Sequence, residues 1–173
     1  MPTPAEMFRE IIVRDLTYCP DTGMLCWART GKGRPNRKGY AGYLNPRTGY
    51  FNVHIGGKLR QAHVLIWLLV HGELPDKQID HINGIRNDNR IVNLRLATPQ
   101  QNAANQRPRT TRGYKGVIWQ ESIQKWRARV HVNGKGVWLG SFLSLDEAKV
   151  AYDRAAVHYF GEFALTNESL ANG

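Results

Sequence analysis

The run Asp80-His81-Ile82-Asn83-Gly84, followed by Asn93 and Asn102, gathers a carboxylate, an imidazole and amide oxygens within 23 residues. Each group has a task in phosphodiester hydrolysis. The attacking water must lose a proton, and the phosphoryl charge and leaving oxygen need a cation. An imidazole with an ordinary pKa near ~6.5 accepts a proton at neutral pH, which suits His81 as a general base. Oxygen donors from Asp80 and Asn102 suit Mg²⁺, or Mn²⁺, better than zinc. Adjacent side chains on a strand point to opposite faces, so Asp80 can address a metal while His81 addresses water. Asn93 can bond loop backbone and fix the shape of the excursion from Asn83 to Arg90.

These residues need a hairpin and a helix to bring them together. Lys77 to Asp80 opens the hairpin and about Val92 to Leu96 returns it. Thr98-Pro99-Gln100-Gln101 then starts a helix with a Thr cap, Pro at the first position and Gln at the third. That places Asn102 in the first turn, with the helix ending near Gln106. Upstream, residues 5–15 read as a short amphipathic helix. Leu16 to Tyr18 and Met24 to Trp27 form a hairpin around Pro20-Asp21-Thr22-Gly23, and Tyr50 to Ile55 with Lys58 to Arg60 form another around Gly56-Gly57. His63 to His71 is a helix apolar on nearly every face, so it should be buried. His54 and His71 read as structural or surface residues.

The C-terminal part carries its own signals. Trp126, Ala128, Val130 and Val132 alternate strictly with Arg127, Arg129 and His131, giving one apolar and one basic strand face. Asn133-Gly134 is a strong hairpin turn, Gly136 to Phe142 the partner strand, and Gly116 to Trp119 a third strand. Ser144-Leu145-Asp146-Glu147 is a capping box. Ala148, Ala151, Ala155 and Tyr159 form the expected packing stripe of the helix it starts.

Charge narrows the partner. The chain of 173 residues has a net charge of +10. No acid occurs between Asp21 and Glu73, while residues 109–143 hold seven Lys or Arg against Glu121 alone. Residues 144–173 reverse the balance, with five acids against Lys149 and Arg154. Such segregation is the footprint of a polyanion binder. The longest apolar run, Val64 to Val70, is far short of the ~20 residues that span a bilayer. The Met1-Pro2-Thr3-Pro4 start lacks a signal-peptide layout, so a cytoplasmic location is expected, with no membrane partner. Cys19 and Cys26 do not have zinc spacing and read as structural thiols.

The segment Ala62-His63, Asp80-His81-Ile82-Asn83-Gly84, Asp88-Asn89-Arg90, Asn93-Leu94-Arg95, Asn102 and Asn105 resembles the HNH endonucleases, in particular their phage and intron homing branch. The resemblance covers about residues 16–106. It implies a ββα-metal (His-Me finger) fold, with His81 as general base, Asp80 and Asn102 on a divalent cation, and Asn93 structural for the loop. His63 matches a His that precedes the buried helix; relatives often have Arg next, where this chain has Val64.

Residues 113–168 resemble the plant Apetala-type, ethylene-response-factor DNA-binding domain through Gly116-Val117-Ile118-Trp119, Trp126-Arg127-Ala128, Trp138-Leu139-Gly140-Ser141-Phe142 and Ala151-Tyr152-Asp153-Arg154-Ala155. That family sets a three-stranded antiparallel sheet, backed by one helix, into the major groove. The resemblance puts Lys115, Arg127, Arg129, His131 and Trp138 toward DNA and Lys135 at phosphate. Ile118 and Gln120 stand near where plant members carry arginines, so their base-reading scheme is not carried over.

The expected architecture is α+β. A nuclease domain spans 1–106, a basic linker 107–113, a DNA-binding domain 114–168 and a tail 169–173. The expected activity is metal-dependent, site-targeted cleavage of double-stranded DNA by a homing or mobile-element nuclease. The alternatives are a DNA-binding regulator with an inactive nuclease core and a structure-specific nuclease. No protein partner is implied, and the reading leaves monomer or homodimer open.

Overall fold

The computed structural model describes residues 3–28, 39–108 and 113–172. The basic positions Arg29, Lys32, Arg34, Arg37 and Lys38, and most of the expected linker, lie outside them. The described chain mixes helices and strands and divides into two compact units, Met1–Leu96 and Ala97–Gly173.

The first unit begins with α1 (Pro4–Asp15), started by a Thr3–Glu6 capping box with proline in the first turn. Hairpin β1 (Leu16–Cys19) and β2 (Met24–Trp27) follows, then a three-stranded sheet of β3 (Tyr43–Leu44), β4 (Phe51–Ile55) and β5 (Lys58–Gln61), ordered β3-β4-β5. The short β3 was not apparent from sequence. Helix α2 (Ala62–His71) runs without a side-chain N-cap bond and stops at Gly72 in the left-handed region. Its Leu65, Ile66 and Leu68 pack with Ile12, Leu16, Leu25, Val53 and Ile79 in one core. Burying apolar surface stabilises by roughly 25 cal/mol per Å², so these side chains hold the helix to the strands. Strands β6 (Gln78–His81) and β7 (Leu94–Ala97) pair with each other.

Helix α3 (Pro99–Asn105) begins the second unit with the expected Thr98–Gln101 capping box. The sequence reading groups this helix with the first unit, whereas the compact units divide before it. Strands β8 (Val117–Gln120), β9 (Lys125–Val132) and β10 (Lys135–Phe142) form an antiparallel sheet ordered β10-β9-β8. Asn133 and Gly134 take positive φ at the β9–β10 turn, the geometry a tight two-residue hairpin requires. Helix α4 (Leu145–Phe160) is started by the Ser144–Glu147 box and packs on the sheet.

The α4 stripe is rotated from the expected one. Ala148, Tyr152, Ala156 and Phe160 are buried, while Tyr159 is 43% exposed. An i, i+4 progression brings Tyr152 inward against Gly116, where an added Cβ would lie 2.0 Å from the Tyr152 ring. Helix α5 (Asn167–Ala171), capped by Thr166, runs from the end of the expected DNA-binding domain into the residues read as a tail.

Candidate functional site

Asp80 and His81 end β6, and both are 4% exposed. A charged or titratable side chain this deep needs partners, and each has its own set. The Asp80 carboxylate accepts from Arg95 Nε at 2.9 Å, across the hairpin on β7. His81 Nε2 lies 3.0 Å from Asn89 Oδ1. The His81 ring also meets His63 edge-on, with centroids 5.1 Å apart, and Tyr50 at 5.9 Å. Strand alternation therefore gives these neighbours two separate environments.

Burial is the main force on His81 and pushes its pKa below the ordinary value; the Asn89 bond and the Asp80 and Asp88 charges pull it back up. Burial drives His63 down to about 3, with His81 adding to the effect. Both rings are accordingly neutral at neutral pH, the form in which His81 can accept a proton. His63, at the start of α2, is a wall of the site and is 5% exposed.

Asn93 closes the excursion between the strands. Its Oδ1 accepts from the Asn83 amide at 3.0 Å, and its Nδ2 donates to Asn83 Oδ1 at 3.0 Å and to the Asp88 carbonyl at 2.8 Å. Asp88 is chelated by Arg90 through two bonds, at 2.8 and 2.7 Å, which lower its pKa to about 2. The long loop is thus a polar network tied at Asn93.

Several residues given no site role in the sequence reading support this network. Tyr18 on β1 accepts from the Ile91 amide at 2.8 Å. A Cβ at Gly23 would lie 2.6 Å from the Arg90 nitrogen, so the first hairpin touches the loop backbone. Arg86 donates to the Thr48 carbonyl at 2.8 Å and lies 5.1 Å from the Tyr50 ring centre. The signals were the Tyr and Gly of a hairpin turn, which by themselves name no partner.

Asn102 is half-buried in the first turn of α3, in the second unit. No group of three or more His, Cys, Asp or Glu fit to hold a metal occurs among the described residues. Mg²⁺ does not need one, since one or two protein oxygens plus substrate phosphate and water complete its shell. The Asp80 carboxylate is an oxygen donor of the type Mg²⁺ takes, and it is paired with the Arg95 guanidinium, whose positive charge a cation there would have to displace or share.

On the second unit, the basic alternation of β9 is realised. Ala128 and Val130 are buried, while Arg129 and His131 are exposed. Arg129 is paired in register with Trp138 of β10, and Arg127 stacks 4.3 Å from the Trp138 ring centre. Trp138 is 48% exposed, and Lys135 is exposed beside the turn. Gln100, Arg107, Arg127, Arg129, His131 and Trp138 help line a cleft of about 840 Å³. Ile118 lies on β8, 53% exposed.

Lys115 differs from the DNA-facing expectation. Its ammonium donates to the Ala104 carbonyl, and burial lowers its pKa to about 8. The backbone explains the turn inward: the Lys115 amide donates to Asn167 Oδ1 at 2.7 Å, and Asn167 is itself held by Asp153. Trp126 packs on Trp119 and Tyr114, as its parity with Val130 implies.

No helix among the described residues is long and apolar enough to cross a membrane. The HNH endonuclease family model matches residues 60–104. An uncharacterized HNH endonuclease of Acanthamoeba polyphaga mimivirus is 32% identical over 130 residues, spanning 75% of this chain and 67% of that protein. Protein 3.8 of Escherichia phage T7 is 36% identical over 81 residues, 45% of this chain and 67% of the phage protein. A partial match, 46% identical over 44 residues, links 25% of this chain to 13% of an AP2/ERF and B3 domain-containing transcription factor of Arabidopsis thaliana. The buried acid–base pair lies inside the matched segment, and the chain belongs to the HNH endonucleases, a nuclease family acting on nucleic acid.

Proposed function

We propose that this chain is a metal-dependent, site-targeted endonuclease of double-stranded DNA, cutting with the His81 region and holding its target with the β8–β10 sheet. The observation that carries this reading is the buried His81 imidazole, held at Nε2 by Asn89, next in sequence to the buried Asp80 carboxylate. We read β6, β7 and α3 as the ββα-metal unit of the family, with Asp80 and Asn102 as ligands of Mg²⁺ or Mn²⁺.

His81 takes a proton from water as the water oxygen attacks phosphorus. The bond from phosphorus to the 3′-oxygen breaks, and the departing oxygen is protonated by solvent. A bound divalent cation supplies positive charge for the phosphoryl group and the leaving oxygen. Asn93 keeps the loop in the shape that presents His81, and His63 with Tyr50 limits the movement of its ring. Arg127, Arg129, His131, Lys135 and Trp138 offer cations and an aromatic face to DNA, with phosphate contacts giving affinity and base-edge contacts giving preference. The viral relatives are consistent with a mobile-element, homing role.

Plasmid cleavage in Mg²⁺, with EDTA and His81→Ala controls, tests the proposal. Metal-dependent cutting lost in both controls supports it; undiminished cutting by His81→Ala sinks the general-base role. The Asp80–Arg95 pair favours a second reading, because it stabilises the carboxylate without a metal. A regulator with an inactive core would bind DNA and leave every plasmid intact.

A further inference from the structure

We propose that Asn89 is a positioning residue that locks His81 in the tautomer protonated on Nε2, and that the first hairpin holds Asn89 in place. The inference rests on the reading of His81 as the base. Neutral imidazole has one N–H and one lone pair, and only the lone-pair nitrogen can accept a proton from water. Asn89 Oδ1 is an acceptor 3.0 Å from Nε2. That bond requires the proton on Nε2 and leaves the lone pair on Nδ1.

The burial of Asn89 makes this more than a surface contact. Asn89 is 1% exposed, among the most deeply buried side chains of the chain, although it follows an exposed, polar loop. Burying an amide is costly unless its bonds are made, so the site commits its interior to this orientation.

The hairpin clamps the backbone at the same residue. The Tyr18 hydroxyl bridges the Ile91 amide at 2.8 Å and the Asn89 carbonyl at 3.4 Å. At Gly23, with φ of +72°, an added Cβ would sit 2.8 Å from the Asn89 carbonyl carbon and 2.6 Å from the Arg90 nitrogen. Backbone atoms cannot swing aside as a flexible side chain can. Tyr18 and Gly23 also lie outside residues 60–104, the segment matched by the family model. The base is therefore oriented by a part of the chain that precedes the motif.

Long-range proton–nitrogen correlation spectra of the full chain, labelled with ¹⁵N-histidine at mildly alkaline pH, read the tautomer directly. His81 is expected as the Nε2–H form in the wild type. Asn89→Ala is expected to give a mixture of tautomers and about a tenfold or greater loss in kcat, with KM for DNA and Mn²⁺ affinity within twofold of wild type. Asn89→Asp, which keeps the acceptor oxygen, is expected to restore the tautomer and part of kcat. Gly23→Ala should move the same His81 signals. An Nδ1–H signal in the wild type, or an Asn89→Ala spectrum identical to wild type, overturns the inference. Full cleavage by His81→Ala would instead remove the base role while leaving the tautomer readout intact, so the two failures are separable.

Discussion

The two units bury different things. The first buries Asp15, Asn52, His63, Asp80, His81, Asn89 and Asn93, whereas Asn105 and Asn167 are the buried polar side chains described in the second. In the first, His81, Asn89 and Asn93 are satisfied in a network centred on the loop after β6, and Asp80 by Arg95 across the hairpin. The second leaves Arg129, His131 and Lys135 in solvent, on a sheet whose other face supplies the core. Interior polar groups are expensive and require fixed geometry, the requirement of chemistry. Exposed cations cost little and act through field and contact, the requirement of binding a polyanion.

The contrast can be broken most severely at His81. His81→Ala should lower kcat by about 10²–10⁴-fold, the usual worth of a positioned base, while DNA affinity in a filter or fluorescence assay stays near wild type. Loss of affinity by the same factor would merge the two roles. Asn93→Ala removes three part-buried hydrogen bonds and should cost about 2–4 kcal/mol in urea unfolding. A change under about 0.5 kcal/mol would mean that the loop network is dispensable.

On the second unit, Arg127→Ala with Arg129→Ala should weaken DNA binding and lower the slope of log affinity against log salt by about 1–2. Stability should move by no more than about 0.5 kcal/mol per site. An unchanged salt slope would take these arginines off the interface.

A further effect is on acid stability. His63 is held down to about 3 in the folded protein, against ~6.5 unfolded. Between those values the unfolded chain binds more protons, so stability is full above about 6.5 and falls as pH drops, with a slope of at most about 1.4 kcal/mol per pH unit. His63→Phe should flatten that part of the curve; an identical slope would assign the acid sensitivity elsewhere. Because His81 also lies below its ordinary value, the acid limb of cleavage should fall below pH ~6.5.

Local chemistry made much of the fold legible. The Thr98–Gln101 and Ser144–Glu147 boxes, the Asn133-Gly134 turn and the alternation of β9 each act within a few residues, and each stands where the sequence places it. Asp80, His81 and Asn93 were likewise legible as a group, because one hairpin, β6 with β7 and the loop between them, carries all three. Partnerships across the fold were not. Tyr18 meets Ile91 at a separation of 73 residues, and Asn167 meets Lys115 at 52. Such pairs depend on which elements pack together, so Lys115 looked like one more cation for DNA until its ammonium was found turned to Ala104. The α4 stripe was misplaced for a related reason, since Ala is found on many helix faces and Tyr152 takes its direction from the space above Gly116.

Under the proposed function, cutting rests on the His81 region and holding on the β8–β10 sheet. Cleavage rate and DNA affinity measured in parallel on His81→Ala and on the Arg127→Ala, Arg129→Ala variant test it most directly. The account predicts that the first binds and does not cut, while the second loses site preference and still nicks DNA non-specifically in Mg²⁺. A His81→Ala protein that cuts normally, or an arginine variant whose affinity and preference are unchanged, would contradict it.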